Sequence, residues 1–186
     1  MRTFLALPLP PELARKLCAA AHAALGPRLE ELRLVRPDNL HLTLHFLGVT
    51  SAEVLARLPA ELELALAGRR APQLAIRGSG GFPAGSRKHV LWAGVAGEPR
   101  ELEELGRLVS ACRAALAASG HPLPDSSEPF VPHVTLARSR DGLAAPRAWR
   151  ELEFDFAWRA ARIDLLESEA GAGRTRHPSL WTRALD

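Results

Sequence analysis

Residues 39 to 48 read NLHLTLHFLG, and residues 130 to 138 read FVPHVTLAR. Both contain His-x-Thr-Leu. Side chains alternate across a β-strand, so His41 and Thr43 share one face, as do His133 and Thr135. Leu40, Leu42 and Leu44 face the other way, and so do Val134 and Leu136. Imidazole titrates near neutral pH, so two histidines that meet across a cleft can divide acid and base work. One must be neutral to take a proton and the other charged to give one. A threonine hydroxyl donates a hydrogen bond without carrying charge, which suits the oxygens of a phosphoryl group. This chemistry needs no metal and no cofactor. A single histidine on a strand is usually a satisfied structural residue. Two such strands in matching places are hard to explain by packing alone.

Two further side chains of the first stretch need a place. His45 has the parity of His41 and Thr43, so it is expected at the cleft rim as a nucleotide contact. Phe46 has the opposite parity and is expected to pack on the apolar side. His41 and His45 are four residues apart in a strand, about 13 Å, too far for one zinc ion.

The elements that must hold these strands can be read from turn signals and apolar periodicity. Strands are expected at 3–7, 32–35, 40–47, 73–77, 89–95 and 130–138, and in the tail at 152–156, 160–167 and 180–185. Helices are expected at 12–25, 51–67 and 99–118, with Ser51 as an N-cap and Gly26, Gly68 and Gly120 as stops. The glycine-rich run 78–83 and residues 121–129 read as loops, and 141–148 as a loop or short helix. From Phe4 to His41 is 37 residues, and from Leu91 to His133 is 42. Each interval runs strand, helix, His-x-Thr-Leu strand. The expected fold is α+β over residues 1–186 as a single domain. It is a bilobal internal duplication, with two antiparallel sheets flanking a central cleft and helices on the outside.

The chain has 186 residues, 47% hydrophobic and 24% charged, an ordinary globular balance. The formal net charge is +3, and only Lys16 and Lys88 are lysines, so nearly all the positive charge is arginine. Arginine suits bidentate contact with phosphate and permits a phosphate-bearing partner. Cys18 and Cys112 are the only cysteines and read as packing residues, which excludes a disulfide framework. The N-terminal apolar run is broken by Pro8, Pro10 and Pro11 and is too short for a signal segment. No apolar run approaches the roughly 20 residues of a membrane span. A cytoplasmic, monomeric protein is the expectation.

The paired motifs resemble those of the 2H phosphoesterase superfamily, named for two H-x-[ST]-Φ motifs. The flanking residues resemble its branch of RNA 2′,3′-cyclic phosphodiesterases, also called 2′-5′ RNA ligases. The resemblance includes the RTFLAL opening, the FLG after the first motif, the LWAGV strand and Pro132 before His133. It implies hydrolysis of a 2′,3′-cyclic phosphate at an RNA 3′ end to a 2′-phosphate, without metal. By position in the family, His41 is the proton donor and His133 the proton acceptor. Thr43, Thr135 and Arg138 hold the phosphate. Arg138 lies five residues after His133 and so nominally on the wrong face, unless the strand ends, twists or bulges near Ala137. Three other readings are open: ligation through a 2′-5′ linkage, hydrolysis of 2′-5′ linked oligonucleotides, and a module that binds RNA ends without turnover. His22, His89, His121 and His177 are expected at the surface, and Trp92 and Trp181 in the core. Arg87, Lys88, Arg174 and Arg176 are candidates to steer an RNA backbone.

Overall fold

A computed structural model of the chain describes residues 1–123, 129–171 and 174–186. The apolar run at the N-terminus forms β1 (Arg2–Pro8). Helix α1 (Pro11–Leu25) opens on a proline, where the missing N–H would have had no helical partner. Strands β2 (Arg33–Leu34) and β3 (His41–Val49) follow. Helix α2 (Ala52–Ala65) is capped by Ser51, whose hydroxyl accepts from the Val54 N–H. Then come β4 (Gln73–Phe82), β5 (Arg87–Ala96), α3 (Pro99–Ala118) and β6 (His133–Ala144). The chain ends with α4 (Arg147–Arg150), β7 (Asp155–Arg159), β8 (Arg162–Glu167), β9 (Glu169–Gly171), β10 (Arg174–Arg176) and β11 (Ser179–Ala184).

The fold is α+β with antiparallel pairing, as the sequence implies. Its main sheet runs β11-β8-β1-β3-β6-β5-β4-β7. The two motif strands, β3 and β6, lie side by side at its middle, each at the inner edge of four strands. They touch through one register pair, Leu42 opposite Val134. The expected two sheets are therefore two halves of one hydrogen-bonded sheet, joined at a point and diverging beyond it. Where β3 leaves β6, the short β2 takes its place, pairing Leu34 with Ala137 and Arg33 with Arg138. The edge groups of β6 are thereby satisfied. A separate hairpin, β9 with β10, carries the chain back past the first half.

One face of the sheet is apolar. Leu5, Leu7, Leu42, Leu44, Leu91, Val134, Leu136 and Leu165 pack there against Leu17, Leu25, Leu58, Leu105 and Leu116 of the helices. The opposite face carries the polar residues of both motifs.

Several boundaries differ from the sequence reading. The run 78–82 is strand rather than loop, continuing β4 against β5. Its glycines serve packing: a Cβ on Gly80 would overlap the Trp92 ring. The second motif strand begins at His133, not Phe130, and extends to Ala144. The tail strand expected at 152–156 lies at Asp155–Arg159. His121 is buried, its N–H closing onto the Leu116 carbonyl at the end of α3. Most of the acidic loop expected at 121–129 lies outside the described residues.

Candidate active site

The two motif histidines are held in the same way. His41 Nδ1 lies 2.7 Å from the Asn39 carbonyl oxygen, and His133 Nδ1 lies 2.7 Å from that of Val131. In each motif the partner is the residue two places earlier. A carbonyl oxygen only accepts, so Nδ1 carries the proton and donates, and Nε2 is left to take or give a proton. Each imidazole also has an aromatic wall. Phe4 stacks on His41 at 4.8 Å between centroids. Phe82 meets His133 edge-on at 5.0 Å, with Trp92 at 6.1 Å.

A shared irregularity decides which residues follow the motifs into the cleft. Between β1 and β3, Leu5 pairs with His45 and Ala6 with Thr43, so Leu44 is an extra residue. Between β5 and β6, Leu91 pairs with Ala137 and Trp92 with Thr135, so Leu136 is extra. Both motifs bulge at the same leucine. A bulge shifts strand parity by one beyond it. Phe46 and Arg138, each five residues after its histidine, are thereby turned onto the polar face. Arg138 reaches the cleft as expected, by the bulge it required.

The same bulge moves His45 away. It does not line the cleft but sits on the helix face, its Nε2 2.8 Å from the Val109 carbonyl oxygen of α3. Burial holds its pKa below the ordinary value. Phe46, expected to pack on the apolar side, lines the cleft instead, 67% exposed and beside Phe4 at 6.2 Å. A bulge leaves no mark in apolar alternation, so parity alone assigned the two residues the wrong way round.

The cleft is about 540 Å³ and its described lining includes His41, Thr43, Thr135 and Arg138, with Arg2, Arg33 and Arg36 and no carboxylate; His133 stands beside it, outside this lining but near enough for its charge to act on His41. Arg36 alone of these arginines has an ion pair among the described residues, at 3.3 Å to Asp38. Arg87 and Lys88, expected to steer RNA, bond instead to nearby carbonyls of Asp141, Gly142 and Pro83. Arg176 is in β10 and does not line the cleft. The Arg174 side chain is outside the described part. The expected surface histidine His177 lines the cleft, edge-on to both His41 at 5.5 Å and Phe4 at 4.9 Å. Asn39 Nδ2 donates to the Thr175 carbonyl at 2.9 Å and ties this segment to the first motif. Only the fold brings residues 136 positions apart together. Trp92, expected in the core, stands on the cleft face beside Thr135. Trp181 is partly buried, its Nε1 donating to Glu63.

His41 has a pKa pushed down to about 4. Burial is the main cause, and the positive charges of His177, Arg138 and His133 add to it, while the bond to Asn39 opposes it. Before substrate binds, His41 is neutral at neutral pH. Among the described residues no three His, Cys, Asp or Glu side chains are grouped to hold a metal ion.

Comparison with known sequences accords with this geometry. The family described as the 2′-5′ RNA ligase superfamily matches residues 9–172, a span that includes both motifs. The chain belongs to the 2′-5′ RNA ligase superfamily, the 2H phosphoesterases. It is 34% identical over 188 residues to the RNA 2′,3′-cyclic phosphodiesterase of Escherichia coli K12, covering 99% of this chain and 96% of that one. The crystal structure of E. coli LigT complexed with 3′-AMP superposes with a TM-score of 0.77 at 32% identity, over 99% of this chain and 97% of that one. The crystal structure of TT0787 of Thermus thermophilus gives 0.80 at 27% identity, over 100% and 98%. Superfamily membership and the superposition extend over nearly the whole chain, not the motifs alone.

Proposed function

We propose that the protein hydrolyses the 2′,3′-cyclic phosphate at the 3′ end of RNA to a 2′-phosphate. The observation that carries this reading is the matched pair of histidines, each locked through Nδ1 and near enough for the charge of His133 to act on His41, beside a cleft whose described lining has four arginines and no carboxylate. A relative 34% identical over its length bears the name of this activity. In the reaction, water attacks phosphorus and loses its proton to one imidazole. The bond from phosphorus to the 3′ oxygen breaks, and the other imidazole protonates that oxygen. Thr43, Thr135 and Arg138 donate to the non-bridging oxygens, where negative charge gathers in the transition state. Phe46 offers a ring face to the adjoining base.

In this reading His133 takes the proton from water and His41 gives one to the 3′ oxygen. His41 is neutral before substrate binds, so the anionic substrate supplies the charge that stabilises its imidazolium. That low value equally favours a second assignment, with His41 as base and His133 as acid. A substrate whose 3′ leaving atom is sulfur needs no acid, so it restores turnover only to the variant that lacks the acid. Every group invoked comes from one chain, and the proposal includes a cytoplasmic monomer without metal.

The test is incubation of a nucleoside 2′,3′-cyclic phosphate with the protein in EDTA, with identification of the product isomer. Conversion to the 2′-phosphate is expected. Release of the 3′-phosphate would contradict the reading, and so would an absence of turnover on this substrate and on cyclic-phosphate-ended RNA.

A further inference from the structure

We infer that Arg33, with the guanidinium donors of Arg138 that the reacting phosphate leaves free, forms a subsite for a second phosphate, the internucleotide phosphate next to the reacting end of an RNA strand. The inference rests on the reading of the cleft as a cyclic-phosphate site.

Arg33 and Arg138 are direct partners in the β2–β6 pairing. Like charges at opposed positions destabilise a sheet. Neither arginine has an ion pair among the described residues, although Arg28, Arg70, Arg77, Arg107 and Arg147 elsewhere each do. Both line the cleft. An anion held between them turns the repulsion into a fork-on-oxygen contact of the kind guanidinium makes with phosphate.

The two arginines differ in position. Arg138 stands close enough to the reacting centre for its charge to act on both His41 and His177. Arg33 is on β2, which pairs with β6 in place of β3 once the halves diverge, and its charge is not among those acting on His41 or His177. The pair thus extends the positive lining beyond the groups that act on His41. Strand β2 is held after this point by the Leu34–Ala137 pairing and the Val35 N–H to the Leu136 carbonyl at 2.9 Å, and before it by the Leu32 N–H to the Leu29 carbonyl at 3.1 Å. Arg36, the next lining arginine on this segment, has Asp38 as a partner; among the described residues Arg33 has none.

The experiment compares two substrates, a nucleoside 2′,3′-cyclic phosphate and a dinucleotide ending in the same group. The intact protein should prefer the dinucleotide in kcat/KM. Arg33→Gln should erase about tenfold or more of that preference through KM, the size of a lost charge-assisted contact. Mononucleotide turnover should stay within about twofold, and Arg33→Lys should recover part of the preference. An equal loss on both substrates would place Arg33 on the reacting phosphate and overturn the subsite, as would no loss on either. If neither substrate turns over, the hydrolase reading itself fails. Calorimetric titration of the dinucleotide then decides the subsite on its own: weaker binding by Arg33→Gln supports it, and an unchanged Kd overturns it.

Discussion

Nδ1 of each motif histidine is committed to a backbone carbonyl, which leaves one nitrogen per ring for chemistry. Replacing either histidine with alanine should therefore lower kcat by roughly 10²- to 10⁴-fold. The double variant should fall little further, because the two act as a unit. The low pKa of His41 has two consequences with definite sign. Both assignments of acid and base use the singly protonated pair, so kcat/KM should rise with pH through an apparent pKa near 4. Arg138→Gln removes a positive charge that lowers this pKa and should move that limb upward. For stability, a folded-state pKa below the ordinary 6.5 means that the unfolded chain binds more protons between these values. Stability is then lost as pH falls from about 6.5 towards 4. Urea midpoints at pH 7 and pH 5 should separate less in His41→Asn than in the intact protein. At this scale the sequence was informative where the motif repeats: His41, Thr43, His133 and Thr135 stand where alternation puts them. It was silent on His177, whose place in the cleft depends on a contact with a residue 136 positions away and has no local signature.

The bulge is the element-level device of this site. Both His-x-Thr-Leu strands bulge at the leucine, and each bulge turns the fifth residue after the histidine onto the cleft. Arg138 could be assigned because its motif position was informative; His45 and Phe46 were exchanged because strict alternation was assumed through Leu44. Gly80 presents the converse case. A glycine-rich run reads as a loop, yet here it is a strand that leaves room for Trp92 beside His133. Gly80→Ala should displace that ring, lowering kcat while the far-ultraviolet circular dichroism is retained. A variant with full kcat and an unshifted tryptophan emission would contradict this role. Helix positions were more legible, since Pro11, Ser51 and Gly120 mark ends by mechanisms that act within a few residues.

Across the whole molecule, two four-stranded halves meet at the single pair Leu42–Val134, and the cleft opens where they part. Both side chains are fully buried. Leu42→Ala should cost about 2–5 kcal/mol in denaturant unfolding, as for other buried leucines. The order of elements was legible because each half repeats strand, helix and motif strand. The join was not, since a one-pair contact between distant strands leaves no periodic trace. The arginines of the cleft imply that RNA affinity falls as salt rises, in a log–log plot whose slope lessens by about one unit per phosphate-contacting arginine removed. The described helices include none long and apolar enough to cross a membrane. The central claim is that two histidines from two strands act on one phosphate. The most direct measurement is turnover of a nucleoside 2′,3′-cyclic phosphate in EDTA by the intact protein, His41→Ala and His133→Ala, with folding checked by circular dichroism. The account predicts a 2′-phosphate product from the intact protein and loss of turnover in both folded variants. Undiminished turnover in either folded variant would contradict it.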